Sequence, residues 1–435
     1  MPKSGLPGCL PSSIRGVTDT AAMEADRHFT LDALRGFAVL GILVMNVIGF
    51  AMPMAAYVNP RAWGGATGAD LVAWALAFIL VEGKMRGLFS LLFGASLLLV
   101  IERAEAKGAD AASVHFNRMF WLFLFGLFHY WFIWDGDILG LYALCGCAAF
   151  ALRNLTSRQL FQVGIAFMAL NLVIWLLVLL SVHDLRHDAL LPGADAGLAR
   201  DLAAVMAEFG EPNSTLIAEQ LRLHLGHYAD IAESRLLDHI SAPIVLVYAY
   251  GPETVGLMAW GMALFKSGAL TGQWPRRSYA RAAVFAYAIG LPLSALLAWL
   301  CWESGFDTML TADIYYAANL PARMIVMLGH LMALLFIVTT ARPSAVLRRV
   351  SAAGRMALSN YLATSILMTT LYYGYGLGLY GQLGRWESYL TVLPVWALML
   401  GWSAPWLARF RYGPLEWLWR SLARRELQPM RLSQG

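Results

Sequence analysis

Apolar runs close to the ~20 residues that a helix needs to cross a bilayer recur from one end of this chain to the other. In hydrocarbon only helices and closed barrels satisfy every backbone group internally. The runs are continuous rather than alternating, so the expected fold class is all-α, a polytopic membrane helix bundle. Composition agrees, with 59% hydrophobic and 14% charged residues against about 25% charged in an ordinary soluble domain. Spans are expected near 33–53, 86–102, 118–134, 137–152, 159–182, 241–265, 280–301, 319–340, 356–375 and 388–408, which makes about ten transmembrane helices. The stretch 70–82 is too short to cross and reads as a re-entrant or half-helix.

Charge sets the orientation. The links "ERAEAKG", "RNLTSR", "KSGALTGQWPRRSYAR" and "ARPSAVLRRVSAAGR" and both termini hold most of the 32 Lys and Arg, so that side is expected to be cytoplasmic. A net charge of +4 is modest, and no basic block is interleaved with aromatics. The Lys/Arg excess therefore reads as topology rather than as a ligand signal, and nucleic acid is excluded as a partner. The expected organisation is a disordered leader over 1–27 (or a start at Met23), an N-terminal membrane domain over 28–182, an extracytoplasmic loop over 183–240, a C-terminal membrane domain over 241–422 and a basic cytoplasmic tail over 423–435. Cys9, Cys145, Cys147 and Cys301 form no disulfide framework or metal knuckle. The loop's apolar residues recur at helical spacing, which predicts one or two amphipathic helices capping the bundle. His224 and His227 in it are three apart; a solvated helix face is preferred to a zinc site because no partner motif completes a four-ligand shell.

Ionisable residues at membrane depth are costly and mark interiors or wet cavities. "FILVEGKMRGLFSLLFG" puts Glu82, Lys84 and Arg86 in an otherwise apolar stretch. A short helix from Asp70, a break at Gly83 and a full span from Arg86 would let the charges line a polar cavity. The competing reading leaves Lys84 and Arg86 snorkelling to lipid phosphate. In "GLFHYWFIWDGDILGLYAL", His129 lies within a span and Asp135 and Asp137 form the following turn. A carboxylate facing the histidine would make it a general base, while either aspartate alone could simply cap the next helix. In "RHFTLDALRGFAVLGILVMN", Asp32 and Arg35 are three apart and can pair, and Asn46 lies three turns up the same face.

"LDALRGFAVLGILVMN", "EGKMRGLFSLLFG", "GLFHYWFIWDGDILGLYAL", "GRMALSNYLATSI" and "FRYGPLEWLWR" together resemble the YeiB-like bacterial inner-membrane family, whose C-terminal half is a domain of unknown function. The resemblance runs from about residue 27 to residue 422. It implies a multi-pass protein of the bacterial inner membrane. More distantly the chain is similar to the transmembrane acyltransferase superfamily, which includes heparan-alpha-glucosaminide N-acetyltransferase. Leu34-Arg35-Gly36 and Asn46 match that enzyme's first span, and "WGGATGADL", which contains Asp70, resembles one of its loops. The position of its catalytic histidine, three residues before the tryptophan, holds Pro60. In the C-terminal half Arg355, Asn360 and Tyr361 sit at a helix start, and Glu416 and Arg420 are spaced for an i,i+4 pair.

The expected function is acyl transfer from a cytoplasmic thioester to an envelope sugar or lipid acceptor. Acyl-CoA is the co-substrate implied by the resemblance, with no permanently bound cofactor and no metal. The candidate catalytic residues are His129, Asp135 and Asp137. The candidate binding residues are Asp32, Arg35, Asn46, Asp70, Glu82, Lys84, Arg86, Arg355, Asn360, Tyr361, Glu416 and Arg420. The alternative is a transporter or lipid-handling protein using a polar intramembrane cavity. Membrane lipids are expected partners, and a homodimer is left open.

Overall fold

A computed structural model describes residues 12–340 and 344–432, with side chains described from residue 29 onward. Residues 1–11 of the expected leader, Cys9 included, and the last three residues of the expected tail lie outside that description, whereas residues 12–27, expected to be disordered, open the first helix. Among the described residues the chain is helical throughout, without a named strand. The first half runs α1 (Ser12–Ala51), α2 (Ala55–Val58), α3 (Gly68–Leu80), α4 (Lys84–Glu105), α5 (Ala111–Phe132), α6 (Leu139–Phe150) and α7 (Ser157–Ala189). Three short helices follow: α8 (Ala196–Glu208), α9 (Thr215–His224) and α10 (Tyr228–Leu237). The second half runs α11 (Ala242–Lys266), α12 (Arg276–Glu303), α13 (Thr308–Asp313), a π turn over Ile314–Ala318, α14 (Asn319–Thr340), α15 (Ala345–Arg355), α16 (Ala357–Tyr372), α17 (Arg385–Leu390), α18 (Val392–Leu407) and α19 (Pro414–Arg424).

Among the described residues seven stretches are long and apolar enough to cross a membrane: Phe29–Ala51, Gly68–Glu105, Ala111–Phe132, Ser157–Ala189, Arg276–Glu303, Thr308–Thr340 and Arg385–Leu407. Three expected spans differ. α6 and α16 have 12 and 16 residues, short of a bilayer's ~20. α11 has 25 but carries Pro252 and Glu253 at mid-length. From Gly251 onward it is an interior helix, packed among α4, α6 and α7. The outer helices show the reverse of soluble burial: Leu177 on α7 is 63% exposed and Phe285 on α12 is 69% exposed, an apolar surface that lipid covers at no cost.

Local chemistry places the helix ends. Asp110 accepts from the amides of Ala112 and Ser113 to start α5, Thr156 and Gln159 form a capping box at α7, and Ser344 caps α15 through Leu347. The break at Gly83 falls where the sequence puts it: its φ of +70° is a conformation glycine adopts without strain, and α4 restarts at Lys84. Close helix contacts rest on glycine. A Cβ on Gly36 would lie 2.0 Å from the Val350 carbonyl oxygen, and one on Gly354 would lie 2.0 Å from that of Asp32. The "LRG" and "AAGR" motifs are therefore two sides of one α1–α15 contact. Gly94 and Gly261 do the same for α4 and α11.

The loop holds three short helices after the extended end of α7, where one or two were expected. α9 and α10 close over one end of the bundle, with Ile231 buried among Phe50, Trp134, Tyr372 and Tyr373. The His224 ring stacks on Tyr380 at 4.5 Å, and its Nδ1 lies 2.8 Å from the Gln220 carbonyl, so His224 is packed rather than on a solvated face.

Candidate functional site

A cavity of about 660 Å³ opens among α1, α4, α5, α6, α15, α16, α18 and α19. Along α1 its wall is Asp32, Arg35, Val39, Ile42, Leu43, Asn46 and Phe50, one contact per turn. At 1.5 Å per residue, Asp32 to Phe50 spans about 27 Å. α4 runs the other way along it, from Phe89 and Phe93 through Ser96 to Arg103. One end is thus lined by Asp32, Arg35, Arg103, Arg118, Arg355, Arg411, Glu416 and Arg420, and the other by Phe50, Phe89, Ile138 and Leu139. Arginine clusters of this kind suit phosphate or carboxylate, and the apolar depth suits a chain.

The rim is held by specific bonds. Arg35 pairs with Asp32 at 2.7 Å, as its spacing predicts, and donates to Ser96 Oγ at 2.6 Å. The Arg118 guanidinium lies 4.1 Å from the Trp419 ring centroid, and Trp419 Nε1 donates to the Arg118 carbonyl. Arg355 donates to the Arg411 carbonyl at 3.2 Å. The Glu416–Arg420 pair expected from spacing is replaced. Glu416 accepts from the amides of Leu358 and Ser359 at 2.7 and 3.1 Å and from Ser359 Oγ at 2.5 Å, which caps α16 with a residue of α19. Arg420 lies over Tyr412 instead, at 4.7 Å. Burial pushes the Glu416 carboxyl above its usual range, against the hydrogen bonds from Ser359 and Leu358 that pull it down.

Near the apolar end, His129 Nδ1 lies 2.8 Å from Asp137, whose second oxygen accepts from the Gly140 amide at 2.8 Å. Asp137 therefore fills both expected roles, cap and histidine partner. With the carboxylate on Nδ1–H, Nε2 carries the lone pair, and Nε2 is buried without a hydrogen-bond partner. His129 stands behind Tyr361, their ring centroids 5.1 Å apart. Tyr361 lines the cavity and rests its hydroxyl on the Gly136 carbonyl at 3.3 Å. Asp135 turns away from the histidine to Arg235 of α10, at 3.6 Å.

Other expected site residues lie elsewhere. Asp70 accepts from the Trp386 amide at 2.9 Å and ties α3 to α17. Asn360 donates to the Ala353 carbonyl and Ser403 Oγ and accepts from Trp402 Nε1, a satisfied contact between helices. Glu82, Lys84 and Arg86 do not line the cavity described above. Glu82 accepts from Tyr315 in the π turn at 2.8 Å, Lys84 donates to the Phe78 carbonyl at 2.5 Å, and Arg86 donates to Glu253 at 2.9 Å. Arg323 of α14 takes the second Glu253 oxygen. Sequence reasoning missed Glu253 and Arg323, although an ionisable residue inside a span is itself a signal. It also missed Ser96 and His115, which line the cavity, and it read Arg103, Arg118 and Arg411 as topology signals alone.

The profile of the family described as "Protein of unknown function (DUF418)" matches residues 264–426. The chain is 31% identical to a protein of Escherichia coli (strain K12) named "Uncharacterized protein YeiB", over 93% of this chain and 98% of that one. It is 29% identical to "Uncharacterized protein YxaH" of Bacillus subtilis (strain 168), over 93% and 96%. No solved structure matches. With that coverage from end to end and a bundle of long apolar helices, the chain is an integral membrane protein and belongs to the YeiB-like family with a C-terminal DUF418 domain.

Proposed function

We propose that the chain is acyltransferase-like: an anionic acyl carrier, a thioester such as acyl-CoA, seats its phosphates among the rim arginines, lays its arm along α1, and gives its acyl group to an envelope acceptor beside His129. The observation that carries this reading is the cavity itself, arginine at one end and apolar at the other over about 27 Å of α1. His129 Nε2, its other nitrogen held by Asp137, takes the proton of the acceptor's nucleophilic atom as that atom attacks the thioester carbonyl. The carbon–sulfur bond breaks, and the proton passes from Nε2 to the leaving thiolate. The products are the acylated acceptor and the carrier thiol. Tyr361 stands between His129 and the cavity, so the transfer requires that ring to turn aside. The arginine end faces the cytoplasm by the positive-inside rule.

The second reading, lipid handling or transport without acyl transfer, is favoured by the same tyrosine, because the cavity reaches Tyr361 and not His129. Calorimetry of acyl-CoA on the purified protein and a radiolabelled transfer assay separate the two. Arg35→Ala is expected to weaken binding at least about tenfold, with Arg35→Lys restoring part of it because the two-pronged phosphate contact is lost. His129→Ala is expected to leave binding unchanged and lower transfer by about 10²–10⁴. Wild-type affinity in Arg35→Ala removes the donor site. Binding without any His129-dependent transfer selects lipid handling.

A further inference from the structure

Beside His129, and like it outside the residues that line the cavity, lies a second buried polar atom without a partner. Trp134 is 3% exposed, and its ring stacks on Phe50 at 3.9 Å. It also folds over Gly136, where a Cβ would come within 2.2 Å of it. Its Nε1, like His129 Nε2, is buried with no hydrogen-bond partner. An unpaired polar group in such a place is costly to the fold. The two rings are 6.2 Å apart between centroids.

The two atoms also differ in kind. With Asp137 on Nδ1, His129 Nε2 accepts, whereas the Trp134 indole N–H can only donate. From this pair we infer an acceptor subsite for a hydroxyl group, whose O–H donates to His129 Nε2 while its oxygen accepts from Trp134 Nε1. This deepens the acyl-transfer reading and rests on it for the reaction, but the subsite is testable by binding alone. The class it selects is an alcohol, as on a sugar or a hydroxylated lipid, and the product is an ester. A primary amine is an ammonium ion near neutral pH, with donors only and no lone pair for the indole N–H. Trp134 is then a positioning residue, fixing the oxygen on which His129 acts.

Octanol and octylamine serve as probes of equal chain length. In protein labelled with ¹⁵N at tryptophan, the Trp134 indole N–H signal, assigned by its loss in Trp134→Phe, is expected to shift on titration with octanol and not with octylamine at pH 7. In the transfer assay Trp134→Phe, which keeps an aromatic ring against Phe50, is expected to raise the KM for octanol about tenfold while acyl-CoA affinity stays at the wild-type value. An indole signal indifferent to octanol, as when only water sits there, overturns the subsite even if acyl-CoA binds. Equal shifts with octylamine overturn its selectivity. Failure of acyl-CoA to bind, with the octanol shift intact, removes the donor reading and leaves a hydroxyl site in a lipid-handling protein.

Discussion

α4 carries an arginine near each end, and the two meet opposite fates. Arg86 lies in the interior beside Arg323, both bonded to Glu253, with the Tyr250 ring 4.6 Å from its guanidinium. Arg103 joins Arg35, Arg118, Arg355, Arg411 and Arg420 on an open cavity. At the first site the charge is consumed by the protein. At the second, arginines outnumber the carboxylates that share the lining, Asp32 and Glu416, by six to two. An arginine paired inside the fold and one that faces an open cavity thus carry different weight as signs of a site.

The largest effect should come from Glu253. Replacing it with Ala strands two guanidiniums in the interior, and breaking a buried ion pair in this way costs about 3–5 kcal/mol. Thermal unfolding in detergent should show it, and replacing Glu253, Arg86 and Arg323 together with Met should recover most of the loss. A Glu253→Ala protein of wild-type stability would mean that the cluster is hydrated, which erases the contrast with the rim.

Next is Gly36→Ala. The added methyl meets the Val350 carbonyl at 2.0 Å, so α1 and α15 must part, and overpacking of this kind costs about 1–3 kcal/mol. Because Arg35 and Arg355 ride on those helices, acyl-CoA affinity should fall further than in a variant of equal stability made in α12. Equal losses in the two would show that the rim does not depend on that contact.

The smallest effect concerns the end covered by α9 and α10. Burial holds the His224 imidazole below its usual pKa, with Arg235 adding to the shift and Asp135 and the Gln220 carbonyl opposing it. Below about pH 6.5 the unfolded chain therefore binds more protons than the folded one. The stability from neutral His224 is present above that value and is lost as pH falls through the window down to the folded pKa. The Gly374 amide, bonded to the His224 carbonyl at 2.8 Å, should lose protection at pH 5 relative to pH 7.5, and His224→Phe should abolish the difference. Acyl-CoA binding at the far rim should be indifferent to the substitution.

Much of the architecture is written locally. Gly83 between charged residues announces a break, Thr156 and Gln159 announce a start, and spans declare themselves by length. Partnerships across the chain are not written so. Asp135 and Asp137 are equivalent next to His129 in sequence, and only Arg235 on α10, far along the chain, shows why one of them turns away. Glu253 reads as an isolated acid in an apolar run until α4 and α14 bring Arg86 and Arg323 to it. The basic links that set topology also supply the rim, because residues at the ends of adjacent helices converge wherever the helices converge.

The depth of the cavity has an electrical consequence. The cavity follows α1 for about 27 Å, nearly the length of the ~30 Å of hydrocarbon in a bilayer. Filled with water and open to one bath, it would carry that bath's potential close to the Phe50–Trp134 stack. Across an energised membrane the voltage would then fall mainly over that aromatic wall instead of along the helices. A unit charge crossing the wall exchanges about 2.3 kcal/mol with the field per 100 mV, whereas a neutral group crosses without electrical work. On the proposed reading, phosphates at the arginine end would sit outside the drop, and a neutral acyl group leaving them would cross the wall at a rate independent of membrane voltage.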